Sequence, residues 1–223
     1  MTLSLFGDPK PPTVPGIDLR CCDVAEILAE ARGAKLVHAD PPWRYHRDVG
    51  DGVAANHYDL LSEEDIVRHL DAAFDCVDAG RLVCWYTWPK DAVWREAGDA
   101  GSRWGPRITG GAWVKVGGGG VGYHWRGHSE PVAVFTKGTT GRPNAAIRNS
   151  HVSRREQHSE KPLQWLRAML RAWTDPGDLV VDVYAGLAPM ARACMLEGRR
   201  YIGAEIDPDR HHQAMCRLAL ARE

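Results

Sequence analysis

The 223 residues carry no sequence signal for a membrane span, for secretion or for a zinc site. No run of about 18 apolar residues occurs, so we expect no transmembrane helix. Residues 1–15 lack the basic-then-apolar pattern of a secretory signal and are rich in proline, which predicts a flexible tail. The 6 cysteines include no Cys-x-x-Cys pair. We therefore expect reduced thiols in a cytosolic protein and no zinc site.

Net charge is also close to zero, at −1, and by itself excludes no class of partner. The charges are unevenly distributed, however. Residues 1–99 carry 10 Lys and Arg against 18 Asp and Glu, whereas residues 103–171 carry 12 against 3. Such an imbalance predicts a basic face that binds a polyanion such as nucleic acid. The alternative is that the two segments intermix in space, since a chain segment is not a surface.

The most informative segment is Asp40-Pro41-Pro42-Trp43, which follows a predicted strand at 35–39. Two consecutive prolines end a strand and hold an extended loop, because proline lacks an N–H and has a fixed φ. The loop presents a carboxylate, carbonyl oxygens and an indole at the carboxyl end of a strand, where open α/β sheets bind ligands. An exocyclic amino group on a planar base needs such acceptors and such a flat surface. Taken alone, the same residues also fit an ordinary turn.

A second signature lies further along the chain. An apolar run at 179–183 predicts a buried strand, a turn of small residues follows at 184–188, and Pro189 suits the first position of a helix. Residues 200–204 predict the next strand, which ends at Glu205. In nucleoside-binding βαβ units, an acid in this place accepts hydrogen bonds from ribose hydroxyls. The turn lacks the complete glycine pattern of dinucleotide sites, so a smaller nucleoside is favoured; a purely structural βαβ unit is the alternative.

Helix and strand patterns alternate along the rest of the chain. We predict strands at 17–21, 82–86, 111–116 and 132–137, and helices at 24–31, 62–77, 88–100 and from Pro162 onward. Asp23, and Ser62 with Asp65, have the spacing of helix N-caps. The four glycines at 117–120 predict a mobile loop, and we interpret 138–160 as a loop that faces the substrate. Strands alternating with helices indicate an α/β fold with a mostly parallel sheet and helices on both faces.

Together, the two signatures resemble the S-adenosylmethionine-dependent methyltransferases that modify exocyclic amino groups of bases. The DPPW segment comes first and the cofactor turn second, which is the permuted order of the β class of DNA amino-methyltransferases. Further segments resemble the catalytic subunit of the mRNA adenosine-N6 methyltransferase and its bacterial and phage DNA relatives: 58–64, 113–115, 125–131 and 153–162. The resemblance covers about residues 18–217. It implies a Rossmann-like fold in a single domain, 16–223, with an antiparallel strand near one sheet edge and substrate-facing loops near 44–61, 117–128 and 138–160.

The resemblance also implies roles for individual residues. Those that would act in catalysis are Asp40, Pro41, Pro42 and Trp43. The acid and the first proline's carbonyl would accept the amino hydrogens, and the indole would stack on the base. S-adenosyl-L-methionine would be bound by Cys22, Asp23, Val24, Asp40, His158, Ser159, Lys161, Asp182, Tyr184, Gly186, Ala188, Glu205 and Ile206. Nucleic acid would be bound by Tyr45, Arg126, Arg148, Arg154 and Arg155, and no metal is expected.

Within the implied cofactor site, Asp23 and its neighbours would hold the adenine, Lys161 would contact the methionine carboxylate, and Glu205 would bind the ribose. The turn at 184–189 departs from the β-class pattern F-x-G-x-G-T. Ala188 stands in place of the second glycine, which restricts positive φ and adds a methyl group near the cofactor.

The expected activity is methyl transfer to N6 of adenine in DNA, in the cytoplasm of a bacterium or of a phage-infected host. RNA as substrate and a homodimer are both left open. Cytosine-N4 methylation is an alternative, although those enzymes typically carry serine where Asp40 stands. A non-catalytic homologue that binds nucleic acid or a partner methyltransferase subunit is another, although such homologues usually lose this acid. A nicotinamide-dependent oxidoreductase is disfavoured by the incomplete glycine pattern.

Overall fold

Strands and helices alternate along the residues that the computed structural model describes, namely 14–44, 60–93, 104, 107–117, 127–154 and 160–221. The strands are β1 Ile17–Arg20, β2 Leu36–Ala39, β3 Gly80–Trp85, β4 Arg107–Lys115, β5 Ser129–Lys137, β6 Ser150–Ser153, β7 Leu179–Asp182 and β8 Arg200–Ala204. The helices are α1 Val24–Glu30, α2 Glu63–Asp75, α3 Leu163–Trp173, α4 Pro189–Glu197 and α5 Pro208–Leu220, and a 3-10 turn spans Trp88–Lys90.

The strands form one sheet in the order β1-β8-β7-β2-β3-β5-β4-β6. β5 runs antiparallel to its neighbours β3 and β4, and the other described pairs are parallel. The predicted α/β fold, with a mostly parallel sheet, is therefore confirmed. The chain leaves β2 toward β3 on one side and leaves β7 toward β8 on the other. The carboxyl ends of β2 and β7 consequently border the crevice in which open α/β sheets bind ligands.

Helices cover both faces of the sheet. Successive strand residues point to opposite faces, so neighbouring residues of β2 pack against different helices. Val37 of β2 packs in the apolar cluster that includes α1 and α2. Its neighbour Leu36 packs in the other cluster, with α3, α4 and α5. Leu166 and Leu170, one helical turn apart on α3, are fully buried in that second cluster. The six cysteines are free thiols.

Side-chain caps fix the helix starts next to the crevice. The Asp23 carboxylate accepts a hydrogen bond from the Ala25 N–H at 2.8 Å, at the start of α1. The Ser62 hydroxyl accepts from the Asp65 N–H at 3.1 Å and donates to the Asp65 carboxylate at 2.7 Å. Both caps were predicted from spacing, and each is worth about 1 kcal/mol. Asp207 caps α5 in the same way, accepting from the Asp209 N–H at 2.8 Å.

The structure differs from the prediction in the segment 138–160, which was interpreted as a loop. Residues Ser150–Ser153 form β6, which pairs in parallel with β4 at the edge of the sheet. An edge strand needs only one neighbour, so its short, half-exposed sequence carries little periodic signal. The predicted helix 88–100 begins as a 3-10 turn, and 94–100 lie outside the described residues, as do most of the predicted loops 44–61 and 117–128. Across the described ranges, no helix is both long and apolar enough to cross a bilayer.

Candidate active site

A cavity of about 730 Å³ opens at the carboxyl ends of β2, β7 and β8, which is within the size range of small-ligand sites. It therefore lies in the crevice where the sheet order reverses. Most residues predicted to act in catalysis or to bind the cofactor line it: Cys22, Asp23, Val24, Asp40, Pro41, Pro42, Trp43, Lys161, Tyr184, Gly186, Glu205 and Ile206. The fold thus joins the DPPW loop and the turn after β7 in one site.

The DPPW loop leaves β2 at Asp40 and is held by backbone contacts. The Trp43 N–H donates to the Pro41 carbonyl at 2.9 Å. A carbonyl oxygen has two lone pairs, so this bond does not prevent Pro41 from accepting a second hydrogen. The Trp43 indole N–H donates to the Trp85 carbonyl at 3.2 Å, and its side chain is almost fully buried. Both Asp40 and Trp43 line the cavity.

Two lysines and two carboxylates alternate beside this loop. The Lys161 ammonium contacts Oδ2 of Asp40 and lies 3.3 Å from Oε2 of Glu130. Lys115 pairs with the other oxygen of Glu130. The Lys161 side chain is only 5 % exposed, whereas that of Asp40 is 30 % exposed. Glu130 was not among the predicted site residues, because a single acid at the start of a strand has no spacing signature.

Burial and charge act in opposite directions on these groups. Burial raises the pKa of the Asp40 carboxyl above its ordinary value, even though Lys161 acts to lower it. Burial disfavours a charged ammonium, but the Asp40 and Glu130 carboxylates outweigh it and raise the pKa of Lys161. Burial likewise favours a neutral Glu130, but Lys161 and Lys115 outweigh it and lower the pKa of that carboxyl. The site therefore contains a charged Lys161 ammonium in contact with Asp40, whose carboxyl pKa is raised.

The Glu205 carboxylate organises the turn after β7. Its Oε2 accepts from the Gly186 N–H at 2.8 Å, and its Oε1 accepts from the Asp207 N–H at 2.9 Å. Ala188, at the end of the turn, has φ 56° and ψ 46°, in the left-handed region. The alanine therefore adopts the conformation that its side chain disfavours. Its backbone N–H donates to the Ala185 carbonyl at 2.8 Å, which ties the turn in this shape.

A ring pair closes the side of the cavity near Asp23. The Tyr184 hydroxyl lies 3.0 Å from Nδ1 of His69, a residue of α2. Burial raises the pKa of Tyr184 and lowers the pKa of His69. Both groups are therefore neutral near pH 7, next to the cavity wall formed by Cys22, Asp23 and Val24.

Sequence comparison places the chain in a family. A family model described as DNA methylase, for N6 and N4 methyltransferases, matches residues 83–215. The chain belongs to this N6/N4 DNA methylase family. YubD of Escherichia coli (strain K12), which is named as a methylase, is 35% identical to it over 65 residues. That match covers 29% of this chain and 29% of YubD, so the chain spans less than a third of this curated relative.

Solved structures share the fold of this DNA methylase. M1.HpyAVI, in complex with S-adenosylmethionine, has a TM-score of 0.67 at 16% identity, covering 91% of this chain and 99% of that one. TTHA0409 from Thermus thermophilus, complexed with S-adenosyl-L-methionine, has a TM-score of 0.68 at 20% identity, covering 92% and 94%. The cytosine-N4-specific PvuII DNA methyltransferase has a TM-score of 0.69 at 14% identity, covering 93% of each chain. The family depends on S-adenosylmethionine.

Two residues assigned to the cofactor in this DNA methylase do not line the cavity. Asp182 is fully buried, and its oxygens are engaged by Nδ1 of His38 at 2.9 Å and by the Tyr201 hydroxyl at 3.0 Å. Its carboxylate therefore points into the core, away from the cavity where the cofactor is expected. Ala188 is 1 % exposed and acts through the shape of the turn. Outside the described residues lie His158, Ser159, Tyr45, Arg126 and Arg155.

The basic segment 103–171 forms a partly neutralised surface. Of its cations, Lys161 pairs with Asp40, and the Lys137 ammonium lies 3.7 Å from Oδ1 of Asp75, so both meet acids of the segment 1–99. The two segments therefore intermix in space at these pairs, as the alternative interpretation has it. Arg148 and Arg154, which flank β6, are exposed, and so is Arg142. Within the described part of the chain, no cluster of His, Cys, Asp and Glu could hold a metal ion.

Proposed function

We propose that this DNA methylase transfers a methyl group from S-adenosylmethionine to the exocyclic N6 of adenine in DNA. The observation that carries the proposal is the Asp40 carboxylate, which ends β2 at the cavity beside Trp43 and in contact with Lys161. S-adenosylmethionine supplies an electrophilic methyl group on a positively charged sulfur. The lining of the cavity suits it, because Glu205 and Asp23 supply carboxylates that can accept hydrogen bonds from hydroxyl and amino groups.

Asp40 and Pro41 would prepare the amino group of the base. The lone pair of this nitrogen is delocalised into the ring, so it is a poor nucleophile. With Oδ2 of Asp40 engaged by Lys161, Oδ1 would accept one amino hydrogen and the Pro41 carbonyl the other. Holding both hydrogens favours a pyramidal nitrogen, and most of the acceleration then comes from positioning and electrostatics. The methylated nitrogen must lose a proton, and the raised pKa of Asp40 suits that carboxylate to receive it.

Adenine is favoured over cytosine by the residue at position 40. In the resembled cytosine-N4 enzymes, serine typically takes the place of this acid, whereas here Asp40 is present and ion-paired with Lys161. Cytosine-N4 methylation is another candidate function, since the family model covers both N6 and N4 DNA methylation. RNA adenosine methylation is a third, which rests on the resemblance alone. A cytoplasmic location and a possible pairing of two chains follow only from the resemblance.

DNA would bind along the edge of the sheet at β6. Arg148 and Arg154 are exposed at its two ends, and arginine is well suited to phosphate contacts. In a duplex, the target base must leave the helix before its amino group can enter a cavity. Trp43, which lines the cavity, would then stack on the extruded base.

Mass spectrometry of nucleosides tests the proposal. DNA and RNA are isolated from cells that express the wild-type chain or the Asp40→Ala variant. We expect N6-methyladenine in DNA for the wild type and none above background for the variant. N4-methylcytosine in DNA, or N6-methyladenosine in RNA alone, would instead support one of the two other candidate functions. No modified base of any kind would refute methyl transfer by this chain.

A further inference from the structure

Behind the DPPW loop lies a row of buried polar side chains that the chemistry above does not use. His38, Trp85, Asp182 and Tyr201 are each at most 2 % exposed. His38 reaches the cavity wall, and the others lie in the core. His38 of β2 and Asp182 of β7 are direct partners in the parallel pairing of the two strands that flank the crevice. Buried polar groups that are fully hydrogen-bonded specify a unique arrangement, so the direction of each bond is informative.

The direction of every bond in this row can be assigned. The indole N–H of Trp85 lies 3.0 Å from Nε2 of His38. Because an indole can only donate, Nε2 must accept and carries no proton. Nδ1 of the neutral ring therefore carries the proton and donates to Oδ1 of Asp182 at 2.9 Å. The histidine is thus held in one tautomer from both sides.

The far end of the row is equally constrained. Burial raises the pKa of Tyr201, so its hydroxyl keeps the proton and donates to Oδ2 of Asp182 at 3.0 Å. Its ring lies over Gly203, two residues along β8. A Cβ at position 203 would lie 2.1 Å from the Tyr201 hydroxyl, so only glycine leaves room for this bond. Asp182 is therefore fixed by two donors.

At the other end of the row, Trp85 contacts both Lys161 and Trp43. The Lys161 ammonium, which contacts Asp40, lies 5.3 Å from the centre of the Trp85 ring. This is within the range of a cation–π interaction, which strengthens as water is removed. The backbone carbonyl of Trp85 accepts the indole N–H of Trp43 at 3.2 Å. Any rotation of the Trp85 ring would therefore remove this contact from the lysine that holds Asp40.

We propose that His38, oriented by Asp182, is a positioning residue for methyl transfer that acts through Trp85. Neither His38 nor Asp182 needs to touch the base or the reacting methyl group. Together they hold the Trp85 ring under Lys161, and so hold Asp40 in the geometry that the reaction requires. The proposal rests on the function assigned above to Asp40 and deepens it.

Two matched substitutions test the hydrogen bonds of the two ring nitrogens of His38 separately. His38→Asn keeps an amide near Nδ1 for Asp182 but has no atom to accept the Trp85 N–H. His38→Gln places an amide oxygen near Nε2 and keeps that acceptor. At saturating cofactor and DNA, the single-turnover rate should fall about tenfold in the Asn variant and less than about threefold in the Gln variant, as expected for loss and retention of one hydrogen bond. The dissociation constants of cofactor and DNA should stay within about twofold, because Asp40, Glu205 and the other residues proposed to bind the ligands are unchanged.

A double-mutant cycle tests whether His38 acts through Trp85. Trp85→Phe removes the same hydrogen bond from the other side and keeps an aromatic ring. Its loss of rate and that of His38→Asn should be strongly non-additive, because each removes the bond that the other depends on. In the unmodified protein, nitrogen NMR should show scalar coupling between Nε1 of Trp85 and Nε2 of His38, with the histidine proton on Nδ1. This measurement requires no variant to fold.

Three results would overturn the proposal: equal rates for the Asn variant and the wild type, equal losses for Asn and Gln, or additive losses in the cycle. A purely structural role would lower the melting temperature of the variants while the rate per folded molecule stayed unchanged. The rate is measured on whichever base the wild type methylates. If the base proved to be cytosine, this test would still apply. If His38 proved not to act through Trp85, the proposed substrate would be unaffected.

Discussion

Replacing Lys161 by methionine should shift the acidic limb of the pH–rate profile to higher pH. Lys161 lowers the pKa of Asp40, whereas burial and the Glu130 carboxylate raise it. Without the ammonium, the raising influences of burial and Glu130 dominate. Asp40 must be ionised to accept an amino hydrogen, so with a higher pKa its protonation begins at higher pH. As pH falls, the Lys161→Met variant should therefore lose its rate earlier than the wild type.

The size of this shift follows from the contact between the two charges. Unit charges about 4 Å apart interact by about 4 kcal/mol at the effective dielectric constant of protein sites. With about 1.4 kcal/mol for each pKa unit, this sets a ceiling of about three units. Relaxation and water entry reduce it, and observed shifts next to a cation are about 1–3 units. We expect the acidic limb to move by that amount.

The assay is the single-turnover rate of methyl transfer across pH, at saturating cofactor because Lys161 is also assigned to the methionine carboxylate. Glu130→Gln is the matched variant for which we expect a shift of opposite sign. Glu130 raises the pKa of Asp40, so its removal should move the acidic limb to lower pH. Lys115→Met, which reaches Asp40 only through Glu130, should move it least. An unmoved limb in Lys161→Met, or shifts of the same sign in the Lys161 and Glu130 variants, would refute the assignment of Asp40 as the titrating acceptor.

Three further predictions concern the cofactor turn and the DNA surface. Glu205→Ala should weaken S-adenosylmethionine binding by about 1–3 kcal/mol in calorimetry, because its carboxylate faces the cavity and holds the Gly186 N–H; unchanged affinity would place the ribose elsewhere. In urea unfolding, Gly186→Ala at φ 57° should cost about 1–2 kcal/mol. Ala188→Gly should change the free energy by less than about 1 kcal/mol, because relief of left-handed strain offsets the lost buried methyl; comparable large losses in both would contradict this. Replacing Arg148 and Arg154 by alanine should lower DNA affinity and flatten its salt dependence by up to about one unit for each lost contact. An unchanged salt slope would show that the basic segment is not a binding footprint.

Local sequence signals were sufficient to predict most elements and both motifs. The spacing of Ser62 and Asp65 predicted a cap that the structure confirms, and the prolines after Asp40 marked the end of β2. Such signals depend on residues close in the chain, so they can be read without the fold. β6 was missed because an edge strand depends on its pairing with β4. The left-handed Ala188 was also unexpected, since its neighbours hold it against its own preference.

The sequence by itself determined the class of fold, the DPPW loop and the acid at the end of β8. Only the tertiary structure decided which charges meet. The resemblance assigned Lys161 to the cofactor, and the structure shows that it also forms ion pairs with Asp40 and Glu130. Asp182 was assigned to the cofactor too, and it turns into the core toward His38. The physical reason is register: parallel pairing of β2 and β7 sets these two residues side by side, and no local pattern specifies which residues of distant strands become neighbours.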